Sequence, residues 1–130
     1  MVEDDANDAL LIRLAFEALE SCNAFVCRNL SEAKSYLHGC GMYADRMKHP
    51  FPNAVICDLN LQGESGVEFV AWLESSSEFK KMPIIILTGS TSERDISAAR
   101  RGGVVSVLRK PARLEDLRSM LTDTGSKLCG

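Results

Sequence analysis

The sequence has no Cys-X-X-Cys pair, no dense cluster of Lys and Arg, and no apolar run approaching the ~20 residues that a membrane helix needs. Each gap excludes a class. The five cysteines (Cys22, Cys27, Cys40, Cys57, Cys129) are odd in number, and with only His38 and His49 to join them their spacings match neither a zinc nor a disulfide template. They read as reduced, buried thiols in a reducing compartment. A formal net charge of -3 with dispersed basic residues, Arg100 and Arg101 forming only a local pair, argues against nucleic acid as the main partner. No charged-then-apolar leader opens the chain, so the expected location is the cytoplasm, with no membrane partner. Aromatics are scarce, at 6%, and the single tryptophan, Trp72, is expected to pack a helix face rather than a cofactor. His38 and His49 are expected at the surface.

What remains is an ordinary globular composition, 45% hydrophobic over 130 residues, enough for one domain with a self-sufficient core. The domain is expected over 1–122, with a short polar tail over 123–130. Apolar residues recur at helical spacing from Asn7 to Leu19, and Ala24 to Arg28 reads as a short strand. A second helix runs from Ser31 to Leu37. Residues 39–53, rich in Gly, Pro and polar side chains, make a long connection with a partly helical start. Ala54–Cys57, Pro83–Leu87 and Val104–Leu108 are apolar runs of the kind found in strands buried on both faces of a parallel sheet. Helices are expected over 66–75, 92–101 and 114–121. Strands alternating with helices at this spacing imply an α/β fold of three layers, its parallel sheet covered on both faces.

In such a sheet, ligands bind where the carboxyl ends of the strands meet the loops, so polar residues directly after apolar runs carry the interest. Four places qualify: Glu3 and Asp4 after Met1-Val2, Asp58 after Ala-Val-Ile-Cys, Thr88 after Pro-Ile-Ile-Ile-Leu, and Lys110 at the end of the last strand. Three carboxylates at one edge repel one another, and a hard divalent cation relieves that cost. Magnesium suits the oxygen donors and leaves room for phosphate oxygens, while Thr88 and Lys110 stand ready for the charge of phosphoryl transfer. A carboxylate can itself be the nucleophile, forming an aspartyl phosphate.

The segments VEDDAND, AVICDLNLQGESGVEF, PIIILTGS and LRKPARLEDL, in that order and spacing, resemble the bacterial response-regulator receiver family across nearly the whole chain. The resemblance implies a flavodoxin-like, doubly wound five-stranded sheet in the order 2-1-3-4-5, flanked by five helices. It implies that Glu3 and Asp4 hold magnesium, that Asp58 is the phosphoacceptor, and that the Asn60 backbone carbonyl completes the metal site. Thr88 becomes the switch hydroxyl and Lys110 the cation paired with the phosphoryl group, followed by Pro111 in a bond that is often cis in this family. The implied partners are a histidine kinase or phosphotransfer protein upstream and an unknown protein downstream. The implied activity is a switch with self-catalysed phosphorylation and dephosphorylation, not an enzyme in the ordinary sense. The long 39–53 connection resembles that of small receivers encoded with phytochrome-like kinases.

Three positions depart from the family pattern: Val107 replaces the usual switch aromatic, Gln62 a common Pro, and Ser65 a common Asp. Without an aromatic at 107, signalling is expected to pass through backbone and loop shifts on the face of the fourth helix, fifth strand and fifth helix. The start is also short. Only Met1 and Val2 precede the acidic pair where a central strand normally has about five residues, so reduced stability or a homodimer is expected unless other residues fill the slot. Two rivals stand beside this reading. A haloacid-dehalogenase-type phosphatase would also use Asp58, but it needs a second Asp where Asn60 stands, and a non-phosphorylated interaction module would ignore beryllofluoride.

Overall fold

The apolar runs become strands because alternate residues can be buried on opposite faces at once. In the computed structural model, which describes residues 1–17, 23–61, 63–89, 93–99, 104–109 and 119, β1 is Val55–Cys57, β4 is Ile84–Thr88 and β5 is Val104–Arg109, paired in parallel in the order β1-β4-β5. Between β1 and β4 lie two short strands, β2 (Asn60–Leu61) and β3 (Glu64–Ser65), which form a small antiparallel hairpin. The helices are α1 (Ala6–Glu17), α2 (Leu30–His38), α3 (Gly66–Ser75) and α4 (Glu93–Ala99). The expected last helix over 114–121 lies outside the described residues, apart from Ser119, which is helical.

The two faces of the sheet separate cleanly. Val55, Cys57, Ile84 and Ile86 pack with Leu37, Phe69 and Leu73 of α2 and α3, whereas Ile56, Ile85 and Leu87 pack with Ile12, Ala15 and Phe16 of α1. Period-two alternation along β1 and β4 therefore builds three layers.

Met1–Glu3 occupy the central slot that the sequence left short. Val2 bridges Cys27 on one side and Cys57 on the other, both in parallel. Val2 N donates to Ile56 O at 2.7 Å and Asp58 N to Val2 O at 3.1 Å, while Cys27 N donates to Met1 O at 2.8 Å and Glu3 N to Cys27 O at 2.9 Å. The extended segments thus stand in the expected 2-1-3-4-5 order, with residues 24–27 at the outer edge. Because its neighbour is so short, that edge segment pairs at Cys27 rather than over the whole expected strand. Behind Met1, in line with the slot, a cavity of about 290 Å³ is lined by Phe16, Phe25, Tyr36, Phe51 and Val55, among others.

The 39–53 connection has an anchor that composition did not reveal. Gly39 ends α2 at φ 66°, a left-handed cap that glycine adopts without strain. Arg46 then donates to the carbonyls of Tyr36 (2.8 Å), Leu37 (2.9 Å) and His49 (3.2 Å), holding the last turn of α2 and the loop together. A one-turn 3-10 helix at Gly41–Tyr43 is the expected helical start. His49, expected at the surface, is half-buried edge-on against Tyr36 and Tyr43. Its ring fills space beside apolar neighbours that the loop sequence does not advertise. Trp72, as expected, packs on a helix face, stacked on Phe69 with the Lys34 ammonium over its ring.

Candidate metal centre

The carboxyl ends of the central strands supply the site. Val2 stands beside Cys57, so the next residues, Glu3 and Asp58, emerge side by side at the same edge. Asp4 follows Glu3. Carboxylate oxygens of Glu3, Asp4 and Asp58 lie within 4.8 Å of one another, with Glu3 (2% exposed) and Asp58 (7%) buried and Asp4 the nearest to solvent. At that spacing each pair of ionised groups repels by about 3 kcal/mol at an effective dielectric of ~20. A hard cation reverses that cost, and an all-oxygen donor set with one open side fits a divalent ion such as magnesium or manganese.

The acidic run divides its labour. Asp5 turns away and accepts from Asn7 N (2.8 Å) and Asp8 N (3.0 Å), capping α1. It also donates its own N–H to Glu3 Oε1 at 3.2 Å, fixing the buried carboxylate from behind.

Thr88 ends β4 fully buried, and in the parallel ladder it stands opposite Arg109, the last residue of β5. Cys57 pairs with Ile86, so Asp58 and Thr88 leave neighbouring strands at the same edge. Lys110 and Pro111 lie outside the described residues, as does the Lys-Pro bond. Of Asn60 only the backbone is described; it begins the hairpin two residues after Asp58. Val107, at the place of the expected aromatic, is half-buried and packs against the core beneath α2 and α3.

The loop after Asp58 is held tightly. Gly66 N donates to Leu59 O at 2.8 Å, and Ser65 Oγ accepts from Val67 N at 3.2 Å to cap α3. Across the edge, Glu64 Oε1 accepts from Leu30 N, the first residue of α2, at 3.1 Å. Sequence reasoning missed Glu64, because a carboxylate that caps a helix 34 residues away leaves no local spacing signal.

Cys57 sits beneath Asp58 as an inert core thiol. Burial first, and then the Asp58 charge, push it up to about 12, and burial also raises Cys27. Iodoacetamide at neutral pH is therefore expected to modify the exposed Cys40 while sparing Cys27 and Cys57, as read by peptide mapping. Rapid labelling of Cys57 in the folded chain would contradict this. Because folding raises the Cys57 value, its contribution to stability is full below the ordinary thiol value of 9.0 and drains away as pH climbs towards about 12.

The family model of the response regulator receiver domain matches residues 1–122. The response regulator Rcp1 of Synechocystis sp. is 30% identical over 125 residues, covering 93% of this chain and 81% of Rcp1. The crystal structure of the phosphorylated cyanobacterial phytochrome response regulator RcpA superposes with a TM-score of 0.84 at 28% identity, over 98% of this chain and 89% of that one. The manganese-bound form of Rcp1 gives 0.79 at 28% identity, over 98% and 91%.

Proposed function

The chain belongs to the response-regulator receiver family of two-component signalling, and from that footing we propose that Asp58 is its phosphoacceptor and that Glu3, Asp4, Asp58 and the Asn60 backbone carbonyl hold magnesium. Receivers are signalling switches rather than enzymes, and they bind a divalent metal. One observation carries the assignment: three carboxylates converge within 4.8 Å at the end of the central strands. Glu3 and Asp4 leave Asp58 as the carboxylate at the end of β1, where a phosphoryl donor is met.

In the proposed reaction an Asp58 carboxylate oxygen attacks the donor phosphorus, forming a new P–O bond as the bond to the donor's leaving group breaks. The leaving group is the imidazole of a kinase or phosphotransfer phosphohistidine, or acetate when acetyl phosphate is the donor. The metal, when bound, offsets the negative charge that accumulates on the phosphoryl oxygens. The Thr88 hydroxyl and the Lys110 ammonium contact the transferred group and carry the change to the face that includes β5. The same switch catalyses its own loss of phosphate to water. The domain spans 1–122 with a tail over 123–130, and the chain works in the cytoplasm. Among the described residues no helix is long and apolar enough to cross a membrane. Given the likeness to RcpA, the proposed upstream kinase is a phytochrome-like histidine kinase, and the downstream contact is a protein or a second copy in a homodimer.

Intact mass after incubation with acetyl phosphate and magnesium tests the reading. One phosphoryl group per chain is expected, abolished by EDTA. Multiple turnover of a generic phosphate ester would instead support the phosphatase rival.

A further inference from the structure

The hairpin that follows Asp58 is too small to hold its own shape. Two strands of two residues each, turning at Gly63 (φ 74°), make a pairing that is marginal by itself. It is held from outside, and its ties lead in two directions. Gly66 N to Leu59 O and the Ser65 cap fix it to α3. The bond from Leu30 N to Glu64 Oε1 fixes it to α2 across the edge of the sheet.

The start of α2 is well capped locally. Asn29 Oδ1 accepts from Glu32 N at 2.8 Å, and Glu32 Oε2 accepts from Arg28 N, one residue before the cap, at 2.8 Å. The Leu30 N–H is met instead from the site loop. A carboxylate is the strongest acceptor available at that position, since it faces the positive end of the helix as well as an N–H. Three residues before Leu30, Cys27 is bonded to the segment that leads directly into Glu3. The chain entering α2 is thus joined to the strand that carries Glu3, through Met1 and Glu3, and the first residue of α2 is joined to the loop after Asp58 through Glu64.

We infer that Glu64 is a positioning residue for the metal site: by tying the hairpin to Leu30 N it sets the place of the Asn60 carbonyl, and it makes the first turn of α2 respond when the site is filled. The inference rests on the proposed metal ligands and adds a residue to them. It also gives the receiver a second responsive element, on the α2 side of the sheet, separate from the Thr88 side.

Amide shifts recorded while Mg²⁺ alone is titrated into the full chain test it, with wild type, Glu64→Ala and Glu64→Gln compared. In wild type the Leu30 amide is expected to move with the same midpoint as the Asp58 amide. Glu64→Ala should weaken Mg²⁺ binding by about tenfold, the lower end of the effect of losing an outer-shell partner, and should silence Leu30. Glu64→Gln keeps an oxygen acceptor and should restore both. A purely structural role would change the urea midpoint without this split between Ala and Gln. The inference is overturned if Leu30 is silent in wild type while Asp58 titrates, or if Glu64→Ala binds Mg²⁺ as wild type does. If no amide around Asp58 responds to Mg²⁺ in any variant, the metal-site reading fails and takes this inference with it.

Discussion

Asp58→Asn is expected to take up no phosphoryl group from acetyl phosphate and magnesium, and at the same time to unfold at a higher temperature than wild type in metal-free buffer. The loss follows from chemistry. A neutral amide of the same shape lacks the nucleophilic carboxylate oxygen, and no other carboxylate of the cluster stands at the end of β1. The gain follows from electrostatics. Removing one of three carboxylates whose oxygens lie within 4.8 Å of one another relieves repulsion of about 3 kcal/mol per pair at most, reduced by whatever partners already screen them. Loss of function with gain of stability marks a residue kept for its work rather than for folding. Intact mass and thermal unfolding, each with and without magnesium, measure the two effects. Unchanged phosphoryl uptake by the Asn variant would place the acceptor elsewhere. A lower unfolding temperature in metal-free buffer would show that Asp58 is structural.

The second large effect is at Gly66. A Cβ added there would stand 2.4 Å from Asp58 O and 2.9 Å from Leu59 Cα, both backbone atoms that no side-chain rotation can clear. Conformation is not the obstacle, since Gly66 is not among the glycines with positive φ. Space is. Gly66→Ala must push α3 away from the end of β1, straining or breaking the 2.8 Å bond from Gly66 N to Leu59 O. Overpacking of this kind costs about 1–3 kcal/mol, with roughly 1 kcal/mol more for the hydrogen bond. Urea unfolding should show the midpoint fall, and magnesium affinity should fall with it because the displaced backbone is that of Asp58 itself. A wild-type midpoint would mean that the start of α3 yields easily.

The family was legible in the order and spacing of four motifs that resemble receivers, and the layered sheet in a simple physical rule. Residues buried on both faces must be apolar at consecutive positions, so Val55–Cys57 and Ile84–Leu87 announce central strands, and the first polar residue after each marks the functional edge. Glu3, Asp4 and Asp58 were found that way, and they converge. The same rule misses whatever is held by main-chain groups. Arg46 grips three carbonyls, and carbonyls are alike in every residue, so nothing in residues 39–53 disclosed the clamp. The hairpin at Asn60–Ser65 is too short to show a period. Glu64 carries no signal in the sequence until the fold brings Leu30 to it. The short first strand was foreseen as a weakness. Five hydrogen bonds hold Met1–Glu3 between its neighbours, so the slot is filled at the end that carries the carboxylates.

The Arg46 clamp sets which changes the 39–53 connection can accept. One planar guanidinium reaches the carbonyls of Tyr36, Leu37 and His49 at once, a fork that a single ammonium cannot reproduce. Lysine at 46 would therefore keep the charge and still release part of the last turn of α2, so the loop can drift in sequence around that arginine but not at it.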